Sequence, residues 1–329
     1  MKKIALLLVL LMVAMSLFSA CGTEPVADDT GNASGPVYIN MATGGPSGTY
    51  YGFSSEVAKV LNDRIGDALN ITVEITGGAK ANIQLIASGH DQLAIVQNDV
   101  MTYAYNGEAF FEEDGAIQNF SAVMTLYPEP VQIIANKGIT SVSQLKGKRV
   151  CIGETGSGGE YNAIQILAAY GIDVNSDIQK INKSFADATD SLLSGEIDAA
   201  FIVAGIPTAA VTELAQMHEF NILPVDEGHI SQLQEDYPFY TIATIPADTY
   251  DGQATSVKTI SVMATYIASN DLSEDVVYAF VKGIFENKDA IAERSSNGKF
   301  IDPSIATSGI SIPMHPGAQK YFKEIGVLQ

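Results

Sequence analysis

A glycine-rich turn, Gly44-Gly45-Pro46-Ser47-Gly48-Thr49-Tyr50-Tyr51-Gly52, stands between two apolar runs of different period. Ahead of it, Val37-Tyr38-Ile39-Asn40-Met41 reads as a strand. Behind it, Phe53, Val57, Val60, Leu61 and Ile65 recur at helical spacing and mark one face of a helix. Glycines at a strand-to-helix junction let backbone N–H groups come close to a ligand. The helix N-terminus adds partial positive charge, so the place suits an anion such as a carboxylate. Gly45, Ser47, Gly48 and Thr49 are candidate contacts, with Tyr50 and Tyr51 as aromatic walls that carry polar tips. Taken by itself, the turn also fits a plain helix start capped by Ser or Thr.

The strand-then-helix order recurs along the chain and indicates an α/β fold. Ile71–Ile75 alternates as a strand, Ala79–Ser88 is helical, and Leu93–Val96 is a short buried strand. A loop carrying Tyr127-Pro128-Glu129-Pro130 precedes a strand over Val131–Ala135. Ser141–Lys148 reads as a capped helical turn closed by glycine. Strands over Val150–Gly153, Ile178–Asn182 and Ile197–Val203 alternate with helices over Gly158–Tyr170, Ala186–Ser194 and Ile206–Met217. Ser273-Glu274-Asp275 opens a further helix with a capping serine and early acids. A second glycine turn, Gly153 to Gly159, lies roughly a hundred residues after the first. Ligands of open parallel sheets bind at the strand ends where such turns sit, so two sheets presenting one turn each describe a clam-shell binding protein.

The first twenty residues have the form of an export signal, with Lys2 and Lys3 ahead of an apolar Ile4–Leu17 and small residues before Cys21. The apolar run is short of the ~20 residues a membrane span needs. Cys21 is the expected lipidation site, and residues 21–36 read as a flexible tether. Removing residues 1–20 leaves 16 Lys+Arg against 38 Asp+Glu, a formal charge of −22. Such a surface argues against nucleic acid or an anionic membrane face as a partner. It also means that an anionic ligand is to be held by local dipoles and a few chosen cations. Cys151 sits in an apolar strand as a small hydrophobe. The four histidines are scattered without zinc-ligand spacing, so neither a metal nor a cofactor is expected.

Gly153-Glu154-Thr155-Gly156-Ser157-Gly158-Gly159-Glu160 has Walker A glycine spacing but lacks the Lys and Ser/Thr that nucleotide binding requires. A second polar cradle facing the first fits it better. Gly77-Gly78-Ala79-Lys80-Ala81-Asn82 opens another helix, where Lys80 suits an anion and Asn82 suits a polar ligand edge. Gln97 and Asn98 emerge at the end of a buried strand. Gly205 and Pro207 lie at a further strand-to-helix junction, with Pro207 in a first helical turn.

These residues carry a family resemblance. The chain resembles the TAXI family of extracytoplasmic solute receptors, which serve TRAP-type secondary transporters. The resemblance spans nearly all of Val37 to Leu328. It rests on the Gly44–Gly52 turn, Thr76–Asn82, Leu85–Val100, Leu126–Ile134, Leu145–Gly159, Gly195–Pro207, Tyr237–Tyr250 and Ile312–Gly326. It implies a two-lobed periplasmic-binding-protein fold of type II-like form with a hinge, and no enzymatic activity. It further implies ligands such as glutamate or 2-oxoglutarate, delivered to TRAP permease subunits. Ser47, Gly48, Thr49 and Tyr50, with Asn82 and Gln97, take ligand-facing roles in one lobe by the same resemblance. Thr155, Ser157 and Gly158 take them in the other, and Gly205 and Pro207 are carried over with them.

One departure matters. Relatives often place threonine after the Gly156-Ser157-Gly158 triplet, whereas Gly159 and Glu160 follow here. Glu160 turned inward favours an amino-bearing ligand, while Lys80 favours an anion, and both remain open. The resulting expectation is a lobe of residues 37–127 plus 246–329, a second lobe of 128–245, and hinges near Met124–Pro130 and Tyr240–Tyr250. The protein is expected to be exported and either lipid-anchored on the outer face of the cytoplasmic membrane or periplasmic. The alternatives are the binding lipoprotein of an ATP-driven importer and a sensory ligand-binding module.

Overall fold

The computed structural model describes residues 35–329. The expected signal, Cys21 and all but the end of the expected tether lie outside the described residues. β1 (Val37–Ala42) passes through the glycine turn into α1 (Thr49–Ile65), whose buried positions include the expected Phe53, Val57, Val60 and Leu61. β2 (Leu69–Glu74), α2 (Ala79–Ala87), β3 (Leu93–Gln97) and α3 (Asn98–Asn106) repeat the unit. A long β4 (Phe120–Asn136) leads to a short 3-10 turn at Val142–Leu145. β5 (Arg149–Cys151), α4 (Gly158–Ala169), β6 (Gln179–Ile181), α5 (Phe185–Leu193) and β7 (Ala199–Val203) follow. Next come α6 (Ala209–Met217), β8 (Phe220–Leu223), α7 (Glu227–Asp236), β9 (Thr241–Ile245) and β10 (Val257–Ser269). The described chain ends with α8 (Glu274–Glu286), α9 (Lys288–Arg294) and α10 (Pro316–Glu324). No helix among the described residues is long and apolar enough to cross a membrane.

The strands run in the order β2-β1-β3-β10-β4-β7-β5-β6, with β8 on β4 and β9 on β10. Among the described residues two parallel groups, β2-β1-β3 and β7-β5-β6, are joined only through β4 and β10. β4 pairs antiparallel with β10 from Phe120–Ser269 to Pro130–Ser261, and its last residues pair with β7 and β8. β10 in turn pairs with β3 over Ala264–Ala268 and with β9 over Val257–Ser261. Each half is sandwiched between helices. In the first half α1, α8 and α10 cover one face through Phe53, Leu61, Phe280 and Phe322, and α2 and α3 cover the other through Ile83, Ile86 and Met101. In the second half, α4 and α7 pack against Ile133 and Phe201, while α5 and α6 pack against Ile134 and Ile202.

Three expectations change. The Tyr127–Pro130 stretch is not a loop but the middle of β4. Proline cannot donate to a ladder, yet Pro128 and Pro130 fall where β4 pairs with β10 alone, so their missing N–H groups leave no gap in a flanking strand. The helix expected from Ile206 starts at Ala209, which leaves Pro207 in a connecting loop whose Thr208 N–H donates to the Tyr250 hydroxyl at 3.0 Å. Residues 240–250 do not connect the halves. Tyr240, Ile245 and Tyr250 are buried in the second-half cores, as are Val257, Ile260 and Val262, because β9 folds back on β10 before β10 crosses. Cys151 is a buried free thiol in β5, where burial raises its pKa, in keeping with its reading as a small hydrophobe.

Phe280, fully buried with its ring edge-on to Tyr266 at 5.4 Å, anchors the helical cover of the first half. Phe280→Ala is expected to cost about 3–5 kcal/mol through lost transfer and cavity terms, read as a drop in the denaturant midpoint.

Candidate functional site

Four helices begin at one cleft between the two halves of the sheet. Its lining includes the first residues or N-caps of α1 (Gly48, Thr49), α2 (Gly78, Ala79), α4 (Ser157, Gly158) and α5 (Ser184, Phe185). Two of these helices come from each half, so the convergence exists only once the halves face one another. α1 and α2 start without a side-chain cap, which leaves their first N–H groups free of side-chain acceptors. On the other side Ser157 Oγ accepts from the Glu160 N–H at 3.1 Å, and Ser184 Oγ accepts from the Asp187 N–H at 3.2 Å. The helix ends sum to a positive field directed at one space of about 660 Å³, counting its open mouth.

No lysine, arginine or histidine lines that space among the described residues. It holds two carboxylates instead. Glu129, on β4, is 1% exposed, and its Oε2 accepts from the Tyr50 hydroxyl at 2.8 Å. Burial pushes its carboxyl well above the usual carboxylate range, against the opposing pull of that hydrogen bond. Burial, and then the Glu129 charge, push the Tyr50 phenol up as well. Glu154, half-buried in the second glycine turn, is raised by burial and by the nearby Asp187.

Behind the cleft a buried polar chain ties the halves together. Gln97 Nε2 donates to Asn162 Oδ1 at 3.1 Å, and Asn162 Nδ2 donates to Asp99 Oδ2 and to the Tyr240 hydroxyl, each at 2.8 Å. Tyr240 donates to Gln165 Oε1, and Gln165 Nε2 donates to the Tyr103 hydroxyl at 2.8 Å. Because an ionised Asp99 only accepts, it orients Asn162, and Asn162 orients the Gln97 amide. Gln97 Oε1 is buried and receives no donor. A Cβ on Gly158 would stand 1.4 Å from that oxygen, so any side chain at 158 would displace the Gln97 amide from its place against α4. Nearer the mouth, the Thr49 hydroxyl donates to the Gly205 carbonyl at 3.1 Å, and the Ala210 N–H donates to the Ser47 carbonyl at 3.2 Å.

Of the residues singled out from sequence, Gly45, Ser47, Gly48, Thr49, Tyr50, Gln97, Ser157 and Gly158 line the cleft. Tyr51, Lys80, Asn82, Thr155, Gly205 and Pro207 do not. Asn82 is fully buried as a strut. It donates to the Thr43 and Ile95 carbonyls at 2.6 and 2.7 Å and accepts from the Thr76 hydroxyl at 2.5 Å. Lys80 turns to the Phe110 carbonyl at 2.5 Å and to Asp114 at 2.9 Å. Gly205 offers its carbonyl to Thr49 and packs tightly, since an added Cβ would meet Asn297, Thr49 and Tyr127 at 2.9–3.0 Å. Glu160 turns back into its own loop, accepting from the Gly156 N–H at 2.7 Å and from Asn182 Nδ2 at 2.8 Å.

The sequence reading passed over Glu129, Glu154 and Phe185 as cleft residues. For Glu129 a signal was present, an acid flanked by Pro128 and Pro130, but it was read as part of a connector.

A family model described as NMT1-like matches residues 41–326. The chain belongs to the NMT1-like family. The solved structures similar to this NMT1-like protein include the periplasmic aliphatic sulphonate binding protein SsuA from Escherichia coli. It shares 17% identity over 89% of this chain and 84% of that one, with a TM-score of 0.50. They also include the binding protein component of an ABC phosphonate transporter from Pseudomonas aeruginosa, at 12% identity over 80% and 79% of the two chains and a TM-score of 0.49. The first of these shows the fold: a mixed α/β, two-lobed periplasmic-binding-protein architecture of type II-like form.

Asp99 in this NMT1-like protein has a pKa raised by burial from 3.8 to about 6. Its proton-bound form is favoured by folding, so its contribution is present below pH 3.8 and is lost as pH rises through about 6. Between pH 4 and 7, Asp99→Asn is therefore expected to gain about 2–3 kcal/mol relative to the unmutated protein. Denaturant titrations of both proteins across that pH range measure the difference. A constant difference counts against the assignment.

Proposed function

We propose that this protein is an exported solute receptor that closes two lobes over a small organic acid and passes it to a membrane permease. The observation that carries the reading is the convergence of four helix N-termini on a cleft that has no cationic side chain among the described residues. Backbone dipoles of this kind bind a carboxylate without a salt bridge. The lining residues include no histidine, cysteine or lysine, and we assign the site no chemistry.

The lobes are taken as 37–127 plus 263–329 and 128–262, hinged where β4 and β10 cross. Rotation about those strands brings α4 and α5 toward α1 and α2. The ligand carboxylate is placed on the amides that open α1 and α2, beside Ser47, with Ser157 and Gly158 closing from the other lobe. The partner is taken to be a TRAP-type permease and the ligand a glutamate- or 2-oxoglutarate-like acid, both from the resemblance to TAXI receptors. Lipid on Cys21 would hold the protein at the membrane. The second reading is the receptor of an ATP-driven importer. Uptake restored by one permease class and not by the other decides between them.

A thermal-shift screen of carboxylates, amino acids, sulphonates and sugars tests the core of the proposal. A ligand at a hundred times its dissociation constant is expected to add roughly 2.7 kcal/mol of stability. Gly158→Val, whose side chain would collide with Gln97, is expected to abolish that shift while leaving a cooperative melt. A full shift in the variant would remove the cleft from consideration.

A further inference from the structure

We infer that Glu129 reads an ammonium group, so that the ligand is an α-amino acid rather than the 2-oxo acid of the same skeleton. Its carboxylate lies on the helix N-termini and its ammonium on Glu129 Oε1. The inference rests on the receptor reading and narrows its ligand class.

Glu129 has a single side-chain partner among the described residues, the Tyr50 hydroxyl on Oε2, which leaves Oε1 without a donor. The side chain is buried yet lines the cleft, so a bound molecule is the group placed to meet that oxygen. Glu154 adds a second carboxylate to the lining. No lining residue among those described supplies a positive charge to either, and Lys80 is committed to Phe110 and Asp114. A cleft with amide donors at four helix ends and a carboxylate acceptor at Glu129 complements a zwitterion. The 2-oxo acid would turn a carbonyl oxygen toward that carboxylate.

A carboxylate removed from water with one hydrogen bond either takes a proton or meets a cation. The groups facing Glu129 are Tyr50 from α1, Asp99 from α3 and Tyr127 on its own strand, and none supplies positive charge. Burial raises the Glu129 carboxyl, so its ionised form is the one that a ligand cation stabilises.

The test is calorimetry on the full chain with the standard amino acids, followed by the 2-oxo acid of each binder. The amino acid is expected to bind about tenfold to a hundredfold more tightly than its 2-oxo partner. Glu129→Gln is expected to lose that preference. Equal or tighter binding of the 2-oxo acid overturns the inference, as does a preference that survives Glu129→Gln. Should Glu129→Gln not fold, the comparison of the ligand pair in the unmutated protein decides alone. Binding of non-amino carboxylates only would sink this inference and spare the receptor reading. A well-folded protein that binds nothing in either this series or the wider thermal-shift screen would sink both.

Discussion

The antiparallel pairing of β4 with β10 is the constraint on which the rest of the structure depends. Both strands run through both halves of the sheet, and among the described residues no other pair of strands links the two parallel groups. The cleft therefore has its floor on its own connection, since Glu129 lies on β4 at the crossing opposite Val262. A change in the angle between the halves alters the spacing of the four helix N-termini and leaves Glu129 beside the axis. In the proposed receptor, hinge and floor would be one piece of backbone, which would couple ligand contact to closure.

Burial sets the electrostatic character of the site. The chain has a formal charge of −20 at pH 7, yet among the described residues its cleft draws positive potential only from peptide dipoles. Two acids, Glu129 and Asp99, are buried beside it, and both pay a desolvation penalty that no basic side chain relieves. Asp99 recovers part of this through Asn162 and the Val100 N–H, and in doing so orients the amides of the polar chain behind the cleft. Glu129 has only Tyr50. The difference marks Asp99 as a structural acid and Glu129 as one whose environment is incomplete.

Much of the fold was legible because its parallel units announce themselves. Strand, glycine turn and amphipathic helix recur with period changes that are visible without coordinates, and the helix starts at Thr49, Ala79, Gly158 and Phe185 follow from glycines or capping serines. That Ser47, Gly48, Gln97 and Gly158 line the cleft was legible for the same reason, because a cleft at strand ends draws on local turn chemistry. The antiparallel elements were harder. Tyr127–Pro130 carries two prolines and resembles a connector, and only the presence of β10 on one side and of no strand on the other makes those prolines tolerable in a sheet. Asn82 and Lys80 looked like ligand contacts by type, but their partners Ile95, Phe110 and Asp114 are distant enough in sequence that spacing says nothing of them.

By itself, then, the sequence determined the repeating units, the glycine turns that bring backbone amides to strand ends, and the acidity of the chain. Each of these is a short-range property, written within one or two turns of chain. Only the tertiary structure decided that four helix starts from two halves share one cleft, that Glu160 turns away from it and that Glu129 faces into it. These depend on pairings such as Glu129 with Val262 and Gln97 with Asn162, across separations at which burial and register, not local propensity, choose the neighbour.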